Sequence, residues 1–278
     1  MKIVITGASG FLGKHILNAL TKKKNIEIIP VTRKNIPGWY QVNKYSDSPL
    51  GDILIHLAEN NNRNEVQTLG KSYEAQALNT LNKLLNKGYR QVVYVSSSTL
   101  YGDKISYKRN PNDACVINDI YTETKRFSEL AVLNFQENIV VRLGNVYGYG
   151  MSKNNVISAV LSQIPGKGAL KIINSEPIRD FIWAEDVAEG ISSLVFNNSN
   201  SIKKGIFNIG TGIGTSILSL AELALDIAGE SERPIINMSE NNGSSSIILD
   251  ISDTTLNFGW HPKVPLRDGL SRILARHH

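Results

Sequence analysis

Tyr121 and Lys125 stand four residues apart in a stretch, residues 119–136, whose apolar spacing predicts a helix. That interval puts both side chains on one helix face. An ammonium beside a phenol favours the phenolate, which makes the hydroxyl usable as a general acid or base near neutrality. Alone the pair says little, because two exposed helix residues at this spacing are common. Ser96-Ser97-Ser98-Thr99 adds a second element of chemistry, directly after the apolar run at residues 92–95. Open α/β sheets keep their ligand sites at such strand ends, and a hydroxyl there can hydrogen-bond the same substrate oxygen as the tyrosine.

A third element lies near the start. Lys2–Thr6 reads as a strand, followed by Gly7-Ala8-Ser9-Gly10-Phe11-Leu12-Gly13 and an apolar helix through Ile16, Leu17 and Leu20. Glycines at these steps let the chain turn sharply, bring bare backbone N–H groups to a diphosphate at a helix N-terminus, and pack helix against strand. This predicts dinucleotide binding. After the second strand, where an NAD-binding chain usually places an acid on the ribose 2′-OH, the sequence reads Val31-Thr32-Arg33-Lys34. A guanidinium there would meet the 2′-phosphate of NADP, so NADP(H) is preferred, with NAD(H) an open alternative and a solvated basic loop the plain one.

These residues need a scaffold that brings strand ends together. Short β-branched runs at residues 3–5, 26–31, 53–57, 92–95 and 139–141 alternate with helix-length amphipathic stretches, the pattern of a doubly wound parallel sheet covered on both faces. After Asn145 the rhythm loosens at Tyr147-Gly148-Tyr149-Gly150 and Pro165-Gly166-Lys167-Gly168. The expected division is a cofactor domain over residues 1–146 with returns near 181–210, and a mainly substrate-binding lobe over 147–278. A helix over Ala184–Val195 and a strand over Gly205–Ile209 are apolar enough to make the return. Residues 241–246 read as a flexible polar loop, and His277-His278 as natural or a tag remnant.

Composition fits a packed globular chain: 278 residues, 41% hydrophobic and 20% charged, which excludes disordered, collagen-like and coiled-coil readings. Thirty basic against 25 acidic side chains give +5, spread out apart from Lys22-Lys23-Lys24. Without a basic stripe interleaved with aromatics, no nucleic-acid partner is expected. A lone Cys115 excludes a disulfide scaffold and fits a reducing compartment. No apolar run approaches the ~20 residues needed to cross a bilayer, and the first strand begins at Lys2, so a cytoplasmic protein without membrane contact is expected. His56, on a buried strand end without ligands at metal spacing, reads as a core imidazole, and no metal is expected.

Together these motifs resemble the extended short-chain dehydrogenase/reductase family, NAD(P)-dependent epimerases, dehydratases and reductases of nucleotide sugars. The resemblance rests on residues 6–13, Ile55-His56-Leu57-Ala58, Asn79, residues 96–102, Tyr121 to Lys125, residues 142–148, Arg179-Asp180-Phe181-Ile182, Phe207-Asn208-Ile209-Gly210 and Phe258-Gly259-Trp260. It implies a Rossmann-type doubly wound sheet with a smaller C-terminal α/β lobe. By the same resemblance Ser97, Tyr121 and Lys125 form the catalytic triad, with Lys125 also holding the nicotinamide ribose. Gly7, Ser9, Gly10, Phe11, Leu12, Gly13, Arg33, Leu57, Ala58, Glu59, Asn79 and Ser96 would join Tyr121 and Lys125 around the cofactor. Ser97, Ser98, Thr99, Asn145, Asn155 and Arg179 would meet a nucleotide-diphosphate sugar, unless Arg179 only pairs with Asp180 or Asp186. A homodimer through the Tyr121 helix is a further family expectation.

The resemblance also narrows the reaction. Family dehydratases carry acids beside the catalytic hydroxyl, where this chain has Ser98 and Thr99; GDP-fucose synthases carry a cysteine where Ser98 stands. Reduction of a sugar keto group, C4 foremost, with NADPH is therefore expected, with NAD-dependent 4-epimerisation as the alternative and a non-catalytic redox sensor as the reading outside enzymology. The family's usual Asp before the third strand is missing, which leaves the adenine pocket unmapped.

Overall fold

The structure is a computed structural model that describes residues 1–135, 137–196, 204–239 and 245–276. In chain order its elements are β1 (Lys2–Thr6), α1 (Phe11–Thr21), β2 (Glu27–Thr32), β3 (Tyr40–Gln41), β4 (Ile53–His56), α2 (Arg63–Leu85), β5 (Gln91–Ser97), α3 (Ile120–Leu133), β6 (Ile139–Leu143), β7 (Asn145–Tyr147), α4 (Val156–Leu161), β8 (Leu170–Ile172), β9 (Ile178–Trp183), α5 (Ala184–Val195), β10 (Gly205–Ile209), β11 (Gly214–Ser216), α6 (Ile217–Ile227), β12 (Ile235–Asn237), β13 (Ser246–Ile247), α7 (Ser252–Phe258) and α8 (Leu266–Leu274).

Seven strands form one parallel sheet in the order β10-β6-β5-β4-β1-β2-β3. Alternation along each strand sends side chains to two separate cores. Ile3, Ile5, Ile53, Ile55, Val93 and Val141 meet α1 and α5 on one face, while Val4, Leu54, Val92, Tyr94 and Val140 meet α2 and α3 on the other. Apolar burial on both faces is why these strands read as continuous β-branched runs, and the doubly wound expectation holds.

A third core lies apart, where Tyr147, Phe181 and Trp183 pack with Ile157, Leu220, Leu225, Leu270 and Ile273 from α4, α6 and α8. A small sheet of β7, β9, β11 and β13 and a two-stranded β8–β12 pair accompany it. α5 packs on the main sheet and β10 joins it beside β6, whereas β9 pairs with β7, β11 and β13. Trp260, after α7, joins the main core and donates its indole N–H to Asp186 O at 3.1 Å.

Element boundaries moved slightly. The Tyr121 helix ends at Leu133 with Asn134 as its C-cap, short of residue 136, which lies outside the described residues. The fourth strand of the sequence pattern extends to Gln91–Ser97, because Val92 N is met by Asn138 Oδ1 at one end and the register with β6 runs to Ser97 at the other. Of the polar loop at residues 241–246, Ser246 opens β13 and residues 241–244 lie outside the described residues, as do His277 and His278.

Candidate active site

The glycine turn leaves β1 with Gly7 at φ +74. A Cβ on Gly7 would lie 3.0 Å from the carbonyl carbon of Leu57 and 3.1 Å from Ala58 N, and one on Gly13 would overlap the Gly7 carbonyl. Only bare backbone lets the turn, α1 and the segment after β4 approach this closely. Gly10 caps α1 without a side-chain hydrogen bond, so the first-turn N–H groups of Phe11, Leu12 and Gly13 face outward without a side-chain acceptor, the arrangement that suits a diphosphate. A side-chain-free cradle under open amides fits a dinucleotide. Ser9 Oγ sits 3.0 Å from Thr32 Oγ1, tying the turn to the end of β2. Arg33 follows, exposed, with its guanidinium 5.3 Å from the Tyr45 ring centroid.

The hydroxyl cluster forms where β5 ends. Ser97 Oγ accepts from Thr99 N at 3.2 Å and lies 2.9 Å from Thr99 Oγ1, capping the short turn at Ser98–Tyr101. Tyr101 donates to Asn208 Oδ1 at 2.7 Å and so locks the turn onto β10. Ser97 and Thr99 are half-buried, whereas Ser98 is buried. The Ser96 hydroxyl donates to Glu129 Oε1 at 2.6 Å, and Glu129 is the buried partner of Arg142, so this side chain is tied to α3.

Asp119 opens α3 with a capping box, accepting from Thr122 N while the Thr122 hydroxyl answers the Asp119 N–H. The cap, paired with Arg63, fixes the helix start one residue before Ile120 and so fixes Tyr121. Tyr121 is 7% exposed and Lys125 3%. Lys125 Nζ lies 6.0 Å from the Tyr121 ring centroid, and the Arg63 guanidinium 5.8 Å from the same ring. The ammonium donates to Val95 O at 3.0 Å and to Glu59 Oε2 at 2.9 Å.

Glu59, expected beside the cofactor, is engaged within the protein. Its carboxylate accepts from Tyr94 OH at 2.7 Å and Ser128 Oγ at 3.2 Å as well as from Lys125, and is sealed inside the protein. Burial alone would discharge both members of this pair. The attraction of Glu59 nevertheless holds Lys125 above the ordinary lysine range, and Lys125 holds Glu59 below the ordinary carboxylate range. Burial pushes the Tyr94 phenol well up, with Glu59 adding to it. Burial likewise takes His56 down to about 4, leaving a neutral ring whose Nδ1 lies 2.7 Å from Thr6 Oγ1, the core histidine that the sequence predicts.

The remaining residues are more scattered. Leu57 and Ala58 line the turn at Gly7. Asn79 lies exposed on α2, and no hydrogen bond joins it to Ser97, Tyr121 or Lys125. Asn145 opens β7. Asn155 is spent as the N-cap of α4, accepting from Ser158 N at 2.9 Å. Arg179 pairs with neither Asp180 nor Asp186: Asp180 accepts from Thr211, Gly212 and Leu249 backbone N–H groups, and Asp186 from those of Lys263 and Val264. Its guanidinium reaches Ile178 O, Ser245 O and Ser245 Oγ, and among the described residues no carboxylate forms an ion pair with it. Burial draws Arg179 down from its ordinary value, with Asp103 opposing. A half-buried cation without a fixed counter-ion suits an anionic ligand.

The family model for the NAD dependent epimerase/dehydratase family matches residues 3–210, from the glycine turn through Tyr121 and Lys125 to β10. Among curated relatives, UDP-glucuronic acid decarboxylase 3 of Arabidopsis thaliana is 27% identical over 306 residues, 97% of this chain and 87% of that protein. GDP-6-deoxy-D-talose 4-dehydrogenase of Aggregatibacter actinomycetemcomitans is 28% identical over 249 residues, 82% of this chain and 80% of that one. Among solved structures, UDP-glucuronic acid 4-epimerase from Bacillus cereus with UDP-glucuronic acid and NAD superposes with TM-score 0.83 at 22% identity, covering 100% of both chains. RMD from Pseudomonas aeruginosa with NADPH superposes with TM-score 0.82 at 22% identity, covering 99% of this chain and 97% of that one. Motifs, fold and family match agree that the chain belongs to the NAD dependent epimerase/dehydratase family, nucleotide-sugar enzymes of the extended short-chain dehydrogenase/reductase type.

Proposed function

We propose that the protein is an NADP(H)-dependent reductase of a keto group, at C4, on a nucleotide-activated sugar. The observation that carries this reading is the chemistry around Ser97. Its neighbours are hydroxyls: Ser98 is buried, and Thr99 Oγ1 is engaged with Ser97 itself. Of the buried carboxylates nearby, Glu59 is bound to Lys125 and Glu129 to Arg142 and Ser96, so neither is placed to protonate a departing hydroxide. Such a site suits moving one proton to and from one oxygen.

A nicotinamide dinucleotide held at the glycine turn would supply the hydride. Tyr121 delivers its proton to the forming alkoxide, and Ser97 donates a hydrogen bond to the same oxygen. Lys125 holds positive charge behind Tyr121 and offers the proton not used by Glu59 and Val95 to the nicotinamide ribose. Arg179, with Asn145 on the adjoining strand β7, would grip the sugar nucleotide's diphosphate, and the lobe around α4, α6 and α8 would hold the remainder. Arg33 would meet the 2′-phosphate of NADP. The chain would act in the cytoplasm as a homodimer, since α2 and α3 pack together and leave Leu69, Phe127 and Leu130 exposed.

The test is to identify the co-purifying cofactor by mass spectrometry, then to follow NADPH consumption with UDP-, dTDP- and GDP-linked 4-keto sugars. Turnover of one of them supports the reductase. NAD-dependent 4-epimerisation is the second reading, favoured by the NAD in the Bacillus cereus neighbour. Tightly retained NAD and interconversion of 4-epimers without net consumption of NADPH would establish it instead. A sensor would do neither, and the retention of Ser97, Tyr121 and Lys125 speaks against one.

A further inference from the structure

We infer that Glu59 is a positioning residue for the reaction, the fixed counter-ion that keeps Lys125 charged and pins its Nζ where it stands behind Tyr121. The inference rests on Tyr121 and Lys125 as the acid/base pair of the proposed function.

An ammonium carries three protons. Two are committed here, one to Val95 O at 3.0 Å and one to Glu59 Oε2 at 2.9 Å. One direction remains, toward the site. Glu59 is itself held by donors from two other places, Tyr94 on β5 and Ser128 on α3. Its position is therefore set by the sheet and the helix together, and it transmits that position to Lys125. A lysine on four rotatable bonds would otherwise be free to turn away.

The pair also decides charge. Without Glu59 the side chain would sit in a sealed space where burial favours the neutral amine. The groups that face it offer no substitute. His56 on β4 is neutral, and Tyr94 on β5, Tyr73 on α2 and Tyr121 on α3 are phenols. Glu129, also on α3, bonds Arg142 and Ser96. Arg63, from α2 beside Tyr121, carries positive charge and pairs with Asp119.

The test uses full-length protein labelled with ¹⁵N-lysine, the Nζ signal of Lys125 being assigned by its loss in Lys125→Met. In the wild type the signal should stay in the ammonium range to at least about pH 10 and exchange slowly. In Glu59→Gln the ammonium-to-amine midpoint should fall by at least about one pH unit, a tenfold loss in proton affinity, with the alkaline limb of turnover falling in step. Glu59→Asp should recover most of that loss. A folded Glu59→Gln protein with the wild-type midpoint would overturn the inference, and so would a wild-type midpoint below about 9, which needs no variant to fold. This readout needs no substrate. If Lys125 behaves as stated while Tyr121→Phe keeps full turnover, the catalytic reading fails and the pairing stands.

Discussion

Ser9 Oγ lies 3.0 Å from Thr32 Oγ1, so the loop that would cradle a diphosphate is bonded to the strand end from which Arg33 departs. The glycine turn and the end of β2 are thereby held together. Arg33→Ala should weaken NADPH binding at least about tenfold while changing NADH binding by less than about threefold, since a guanidinium on phosphate is a charge-assisted contact that the ribose diol cannot replace. Titration of both cofactors by quenching of intrinsic fluorescence measures this. Equal losses would favour the epimerase.

Tyr121→Phe removes one oxygen from a residue that α3 holds in place through its cap. Turnover should fall by about 10²–10⁴, the range of general acid–base catalysis. Cofactor affinity should stay within a few-fold, because the phenol is assigned to proton transfer. Steady-state rates and a binding titration on the same preparation separate the two effects.

The Arg142–Glu129 pair is fully buried and bidentate, with Nη2 to Oε2 at 2.7 Å and Nε to Oε1 at 2.9 Å. Glu129→Gln leaves a buried guanidinium short of its counter-charge and removes the charged acceptor of Ser96. Stability should fall by about 3–5 kcal/mol, read from urea denaturation.

His56 sets an acid limit on stability. Its folded-state value is about 4, below the ordinary 6.5, so the unfolded chain binds the proton first as pH falls. The stability His56 contributes is therefore complete above about 6.5 and is lost as pH drops toward about 4, in all about 3 kcal/mol. Urea midpoints measured at pH 7 and near pH 4.5 should differ less in His56→Asn than in the wild type.

The main sheet was legible because its strands are apolar on both faces, so their runs stand out between helices, and the glycine turn because its spacing answers a steric need. The Tyr121–Lys125 pair was legible for the same kind of reason, being local to one helix. Glu59 was not. It follows Ala58 at the end of β4 and so reads as a cofactor neighbour; that it turns toward α3 depends on Tyr94 and Ser128, from separate segments. Ser96 and Ser97 are adjacent in sequence, and only strand alternation, fixed by register against β6, sends one to Glu129 and the other to the site. Arg179 could be matched with the wrong partners because Asp180 is its neighbour in sequence, yet alternation puts that acid on the opposite side of β9.

The return of α5 and β10 to the main sheet bears on how this enzyme can be altered. Ile191, Ile209 and Trp260 all fill the core over α1, although each lies beyond the first 146 residues. The two lobes are braided and not strung in series. A fragment ending at residue 146 would leave β6 as a bare edge and α1 without its cover, and should neither fold nor bind dinucleotide. Exchange of sugar preference between such proteins would then proceed by replacing the pieces between the crossings, around α4 and from β11 to β13, while the strands that thread both lobes stay as they are.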